Sequence, residues 1–335
     1  MKLINVDNLV ETNKTFSGNA GAKIGVIFNN DEYIVKYPKN IKNMNKVEIS
    51  YSTSPLSEYI GSHIYEILGY PVHETLLGYD NDKLVVLCKN FNIKNNFTEF
   101  KNVANRLRSK EIDEIEYTDG SSTDIEKIML TINSSNLISK KNETIKRFWD
   151  MFVVDYLINN NDRNNTNWGF MIDPYNPMTK ATLSPIYDCG NSFNNKLSDK
   201  QLMDKMIDEK IFKEVTVNGL SSCFELRGHH VKFTNAFYND DLLNLGLKDA
   251  ILRNVPNIKN HFDEIIDFIE NIPETENDLK ICSPIYKDFI ELSLKERLEE
   301  VLLPTYEELL DQTQTTKKMT KKKWASFPIF FSFNL

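Results

Sequence analysis

Ile145, Phe148, Trp149, Phe152, Val153, Tyr156 and Leu157 follow one another at i, i+3, i+4, i+7, i+8, i+11 and i+12. That spacing lines up one apolar stripe on an α-helix, so this helix has a buried face and whatever it delivers is anchored to a core. It delivers "NNNDRNNTNWGFMI", a polar loop with one aspartate, Asp162, before an apolar segment that opens at Asn167. "NWGFMI" and "KATLSPIY" flank the turn "DPYNP" and read as a hairpin. Asn167 starts its first strand and Asp188 ends its second, so both stand at the same open end, joined by Asp162 from the preceding loop. Two carboxylates and an amide are oxygen ligands suited to a hard cation such as Mg²⁺, which completes its shell with water and substrate phosphates. Asparagine is abundant throughout the chain and "DCG" is ordinary turn chemistry. On their own, therefore, the three residues read equally well as loop formers.

The chain of 335 residues has room for one large domain or two lobes. Residues 22–37, "AKIGVIFNNDEYIVKY", predict a hairpin, and the preceding "SGNAG" places Gly18 and Gly21 before its first strand. Glycines that open a hairpin rather than a helix exclude a P-loop and suit a loop lying over phosphates. Strand alternation sets Lys36 opposite the buried face of Val35, where its ammonium either enters a cleft or is solvated. "TSPLSEYIGSHIYEILGYP" predicts a helix with Ser54 as N-cap, Pro55 at the first position and Gly69 as its stop. Glu58 on that helix either pairs with Lys36 or faces solvent. "HETLLGYDNDKLVVLCKNF" predicts a second hairpin whose last strand ends near Cys88. Residues 92–142 are polar, with Ser/Thr/Asn clusters and helical fragments of no clear placement, and residues 199–312 read as helical. The expectation is an α+β fold with a small β-rich lobe over residues 1–91, a larger helical lobe over 92–312, and a basic, aromatic tail over 313–335. Clefts between lobes are where ligands sit.

A net charge of −8 weighs against a nucleic-acid-binding face. Cys88, Cys189, Cys223 and Cys282 form no C-x-x-C pair, so neither zinc nor a disulfide framework is indicated. The first residues lack a signal-peptide core and no run is long enough to span a bilayer, so the expectation is a cytoplasmic chain without stable membrane insertion. His63 reads as a packed or exposed helix residue, and the adjacent His229 and His230 do not have metal-ligand spacing.

In sequence order, the glycine-rich hairpin, strand lysine, helix glutamate, apolar strand into a linker, D-x-x-x-x-N and D-x-G resemble the protein-kinase fold. In detail "AGAK", "IVKYP", "SEYIGSHIYEILG", "LVVLCKNF", "DRNNTN" and "YDCGNSF" are similar to the HipA-like bacterial serine/threonine kinases. The resemblance covers about residues 15–195 and implies a bilobal kinase fold using ATP and Mg²⁺. It implies that Lys36 contacts phosphates with Glu58 as ion-pair partner, that Asp162 is the catalytic base, and that Asn167 and Asp188 hold the metal. Ser17, Gly18, Asn19, Ala20 and Gly21 would cover the nucleotide, and the backbone of Cys88, Lys89, Asn90 and Phe91 would meet the adenine. A protein substrate with a serine or threonine acceptor follows, with autophosphorylation at Ser17 or Thr15. The loop departs from H-R-D, and Asn164 stands where many HipA-like proteins have histidine. The pattern also resembles phosphatidylinositol kinases, which keeps a lipid acceptor open, as does a nucleotide-binding pseudokinase that works through partners.

Overall fold

The computed structural model describes residues 2–14, 22–94, 96–108, 120–173 and 180–313. Thr15, Ser17, Gly18, Asn19, Ala20, Gly21, most of the "DPYNP" turn and the tail from residue 314 lie outside the described residues. The first lobe contains β1 (Ile4–Asn5), β2 (Val10–Thr12), β3 (Lys23–Phe28), β4 (Asp31–Lys36), α1 (Ser54–Ile67), β5 (Thr75–Asp80) and β6 (Lys83–Lys89). Its six strands form one sheet in the order β1-β5-β6-β4-β3-β2. All neighbours are antiparallel except β1 with β5. The β3–β4 hairpin turns on Asn29 and Asn30, both left-handed at φ 50° and 67°. Asparagine tolerates that backbone, and the turn's twist matches the strands.

The register of β4 on β6 places the functional face. Val35 lies opposite Leu87, Lys36 opposite Val86, and Ile34 opposite Cys88. Opposed residues share a face of the sheet. Val35 and Leu87 therefore join Val6, Val26, Tyr33 and Val85 in a small outer core. Ile34, Lys36, Val86 and Cys88 face inward, toward α1 and the second lobe. Residues Val85 to Cys88 are all buried because both faces of β6 are covered. Helix α1 begins one residue earlier than expected: Thr53 is its N-cap, without a side-chain cap bond. The Ser54 hydroxyl is instead engaged by Ser52 Oγ at 2.9 Å. Gly69, at φ 80°, follows its end.

The second lobe begins with β7 (Phe97–Glu99), α2 (Phe100–Arg108), α3 (Ile125–Ser134), α4 (Lys141–Ile158), β8 (Gly169–Met171) and β9 (Thr182–Leu183). It continues with α5 (Asp199–Met206), α6 (Glu209–Lys213), β10 (Ser221–Leu226), β11 (His229–Lys232), α7 (Phe233–Ala236) and α8 (Asp240–Leu242). The described chain ends through α9 (Lys248–Asn260), α10 (Phe262–Glu270), β12 (Thr275–Glu276), β13 (Leu279–Lys280), α11 (Pro284–Arg297) and further helical turns to residue 313. Helix α4 is more than amphipathic: every residue from Phe148 to Ile158 is buried, with α3, α9 and α11 packed around it. Arg297 caps its C-terminal end, donating from Nη1 to the Leu157 carbonyl at 2.7 Å, where a cation complements the helix dipole. Strands β8 and β9 form the expected hairpin, with Phe170 opposite Leu183, and β7 adds to it from the unpatterned stretch. The helical reading of residues 199–312 needs correction: β10 and β11 form a hairpin inside it, turning on Arg227 and Gly228 at φ 53° and 76°. His229 and His230 lie exposed on β11. Among the described residues no helix is long and apolar enough to cross a membrane.

Candidate active site

Between the lobes runs a cleft of about 1100 Å³ that is lined by Lys36, Asp162, Asn167 and Asp188 together with Cys88 to Asn92. The inward face of β4 carries Lys36 to its floor. Its Nζ lies 3.1 Å from Glu58 Oε1 and 2.9 Å from Asp188 Oδ1. Burial alone would pull the ammonium's pKa down, but the two carboxylates more than offset it and hold Lys36 charged, well above the ordinary lysine value.

Glu58 is the hub. Its Oε1 also accepts from the Asp188 backbone N–H at 3.0 Å and from His73 Nε2 at 3.0 Å. Burial opposes ionisation of this carboxyl, yet Lys36 and then His73 win and hold it well below the ordinary range. His73 is buried and its backbone N–H donates to the Ile186 carbonyl at 3.0 Å, which ties the approach to β5 to the segment that leads into Asp188. Glu58, His73 and Cys88 bring ligand-type atoms within 4.8 Å of one another. The Lys36 ammonium is bonded to the same Glu58 oxygen, and burial keeps the Cys88 thiol protonated, so this cluster is an ion-pair network rather than a metal site.

The loop holding Asp188 is fitted to α1 with little spare room. Asp188 adopts a left-handed backbone at φ 61°, which aspartate tolerates better than most residues. A Cβ on Gly61 of α1 would lie 2.7 Å from Cys189 Cβ, and one on Gly190 would lie 3.0 Å from Glu58 Oε2. Glycine inside a helix costs about 0.5–1 kcal/mol relative to alanine; here it lets the loop approach.

Helix α4 delivers the other half of the site. Asn159 turns the chain out of the helix at φ 54°. Asp162 then opens into the cleft, where Asn164 Nδ2 donates to its Oδ1 at 2.8 Å. The cleft walls withdraw water from this carboxyl and the charge of Asp188 adds to the effect, against the Asn164 amide, so its pKa lies above the ordinary aspartate value. Arg163 points the other way. It is buried and makes a two-pronged pair with Asp155 of α4, at 2.9 Å from Nε to Oδ2 and 3.1 Å from Nη2 to Oδ1. Its Nη1 donates to the Asn167 carbonyl at 2.9 Å and to the Tyr187 carbonyl. One guanidinium thus fastens the loops of Asp162, Asn167 and Asp188 to the central helix. The Asn167 amide nitrogen donates to the Asp162 carbonyl at 2.6 Å, and its oxygen accepts from Thr166 Oγ1 at 3.3 Å on the cleft wall. The side chains of Asn167 and Asp188, both on the cleft wall, offer oxygen atoms, a chemistry that fits a hard divalent cation and does not fit zinc.

At the other end of the cleft the linker after β6 uses its N–H groups internally. Lys89 donates to the Glu74 carbonyl at 2.9 Å and Asn90 to that of Glu32 at 2.8 Å. The Lys89 ammonium is likewise engaged, 2.6 Å from Asp31. Phe91, Phe97 and Tyr187 form an aromatic cluster with centroids 5.3–5.6 Å apart, a surface for a planar ring. His63 is structural: Nδ1 bonds the Tyr59 carbonyl at 2.8 Å and the ring stacks on Phe268.

Sequence reasoning passed over His73, Arg163 and Asp155. For Asp155 a signal existed, since a carboxylate within "FVVDYLI" is surrounded by core residues and requires a buried partner. Nothing local marked His73 as the neighbour of Glu58.

Known proteins share the sequence and fold of this chain. Residues 17–236 match the HipA-like C-terminal domain family. The chain is 30% identical over 311 residues to serine/threonine-protein kinase CtkA of Helicobacter pylori, covering 88% of this chain and 84% of that protein. The crystal structure of the H. pylori proinflammatory kinase CtkA matches with a TM-score of 0.77 at 26% identity, over 92% of this chain and 99% of that one. HipA of Shewanella oneidensis, solved with HipB and operator DNA, shares the fold at a TM-score of 0.52 and 12% identity, over 88% of this chain and 67% of its own. With its small β-rich lobe, its larger helical lobe and these matches, the chain belongs to the HipA-like family and has a bilobal, protein-kinase-like α+β fold.

Proposed function

We propose that this protein is an ATP-dependent serine/threonine protein kinase of the HipA-like type and that it phosphorylates itself. The observation that carries the reading is the Lys36 ammonium, held between Glu58 and Asp188 at 3.1 and 2.9 Å on the floor of a cleft that Asp162 and Asn167 also line. The serine/threonine kinase CtkA among its relatives supports a hydroxyl amino acid, rather than a lipid, as acceptor.

In this reading Lys36 binds phosphate oxygens as a point charge, and its tie to Glu58 keeps that charge aimed into the cleft. The aromatic cluster of Phe91, Phe97 and Tyr187 and the backbone of Cys88 to Phe91 hold the base. Ser17, Gly18, Asn19, Ala20 and Gly21 supply the loop over the phosphates. Asn167 and Asp188 would hold Mg²⁺, which supplies charge neutralisation on the triphosphate. Asp162 orients the acceptor hydroxyl and takes its proton, a role suited to a carboxyl whose pKa is raised. Because phosphoryl transfer asks for little covalent chemistry from the protein, catalysis here is positioning and electrostatics.

The test is incubation of the purified chain with ATP and Mg²⁺ followed by mass spectrometry of its peptides. Phosphate on serine or threonine is expected, with Ser17 and Thr15 as the candidate positions. A chain that hydrolyses or binds ATP but transfers nothing to itself or to protein substrates, while phosphorylating phosphatidylinositol vesicles, would move the assignment to a lipid kinase.

A further inference from the structure

Beside Asp162 the cleft opens into a second cavity of about 250 Å³, lined by Lys36, Lys39, Glu58, Asp162, Asp188 and Lys196 among others. Its charges do not balance around Lys36 alone. Three carboxylates, Glu58, Asp162 and Asp188, face this space, and Lys36 is bonded to two of them. Arg163, the cation next to Asp162 in sequence, is turned inward onto Asp155. Asn164, two residues after Asp162, brings a neutral amide. The catalytic loop therefore contributes no cation to the place where a phosphoryl group would cross.

Lys39 and Lys196 are the remaining ammonium groups on the cavity wall, and neither side chain makes an ion pair or hydrogen bond among the described residues. With them, three lysines balance three carboxylates. Both are mounted on braced backbone. The Ser52 N–H donates to the Lys39 carbonyl at 2.9 Å, and the Thr53 N–H donates to the Asn195 carbonyl at 2.9 Å, beside Lys196. The turn that presents Lys196 passes through two successive left-handed residues, Phe193 and Asn194, at φ 55° and 54°. Such strain persists only where the surroundings enforce it, and it concentrates at functional sites. Partial burial and the neighbouring Lys39 lower the Lys196 pKa while Asp162 opposes them, so Lys196 feels both groups across the cavity.

We propose that Lys39 and Lys196 form an anion subsite that neutralises the phosphoryl group as it passes from ATP to the acceptor hydroxyl. This rests on the kinase reading above. In the step, the bond between the γ-phosphorus and the β–γ bridging oxygen breaks and its electron pair leaves with ADP. A bond forms from the acceptor oxygen to the same phosphorus, and the hydroxyl proton passes to Asp162. Negative charge spreads over the three equatorial oxygens in flight, and the two lysines meet it there. They are engaged by a γ-phosphoryl group and not by ADP, so they act on turnover more than on nucleotide affinity.

The experiment compares wild type with Lys196→Ala, Lys196→Arg and Lys39→Ala, using ATP and a protein acceptor in turnover assays. ADP binding, with and without aluminium fluoride as a planar phosphoryl mimic, is measured by calorimetry. Lys196→Ala should lower kcat by about 100-fold or more, the order expected for losing one preorganised group that stabilises transition-state charge. ADP affinity should change by less than about twofold, while the extra affinity that aluminium fluoride gives ADP is lost. Lys39→Ala should act in the same direction more weakly, and Lys196→Arg should restore most of the rate. The proposal is overturned if both alanine variants turn over within about threefold of wild type, or if aluminium fluoride tightens ADP binding in them as much as in wild type. Wild-type protein that binds ADP yet transfers phosphate to no acceptor overturns the kinase reading and the subsite with it.

Discussion

The pairing of Arg163 with Asp155 can be separated from every other feature of the site by a double-mutant cycle. Both side chains are 2% exposed, so neither charge has water to fall back on. Asp155 also accepts from Tyr65 at 2.9 Å and Asn160 at 3.0 Å, so Asp155→Asn keeps the shape of this nest while removing its charge. The guanidinium is then buried without a counter-ion, a loss of about 3–5 kcal/mol. Arg163→Met leaves the carboxylate with its two neutral donors and frees the carbonyls of Asn167 and Tyr187, at a similar cost. In the double variant neither charge remains to be stranded, so the total should fall short of the sum by at least about 2 kcal/mol. Urea unfolding followed by circular dichroism reads each variant. If the effects add, with a coupling below about 0.5 kcal/mol, the ion pair does not fasten the loops to α4.

Other consequences follow from the same geometry. Gly61→Ala puts a methyl group 2.7 Å from Cys189 Cβ. Overpacking of this kind costs about 1–3 kcal/mol, and the Mg²⁺ concentration for half-maximal turnover should rise as the Asp188 loop is displaced; an unchanged metal titration would show that the loop yields freely. His73→Ala removes a donor from Glu58 and should lower kcat/KM for ATP by about tenfold, with His73→Gln recovering part of it; equal losses in both would mean that the ring acts only by packing. Glu58 is held ionised in the fold below its ordinary value of 4.5, so its contribution to stability is full above that pH and is lost only as pH falls toward the lower folded value. The stability gap between wild type and Glu58→Gln should thus shrink as the solution is acidified below the ordinary glutamate value of 4.5; a gap that widens over that range would contradict the assigned direction.

Much of the site was legible because its parts sit at positions where backbone periodicity leaves little choice. Period two put Lys36 and Val35 on opposite faces, and the register of β4 on β6 agrees. Helical spacing gave α4, although the sequence stripe understated how completely its C-terminal half is enclosed; that depends on α3, α9 and α11, which arrive from distant parts of the chain. The β10–β11 hairpin went unread because "SSCFELRGHHVKF" is polar at several alternating positions and its turn is an Arg-Gly pair rather than Asn-Gly. Helix α1 takes Thr53 rather than Ser54 as its N-cap, and the Ser54 hydroxyl accepts from Ser52 Oγ at 2.9 Å instead. His73 and Lys196 were invisible for a plainer reason: each gains its meaning from a residue far away in sequence, Glu58 in one case and Asp162 in the other.

In the proposed kinase Asp162 acts on the acceptor while Lys36, Asn167 and Asp188 serve the nucleotide. Transfer from γ-labelled ATP to the chain itself and to a protein acceptor, measured for wild type and Asp162→Asn alongside calorimetric ATP binding, tests it most directly. The variant should bind ATP within about threefold of wild type and lose nearly all transfer, about a thousandfold or more. Transfer by Asp162→Asn at the wild-type rate, or loss of ATP binding in step with activity, would contradict it.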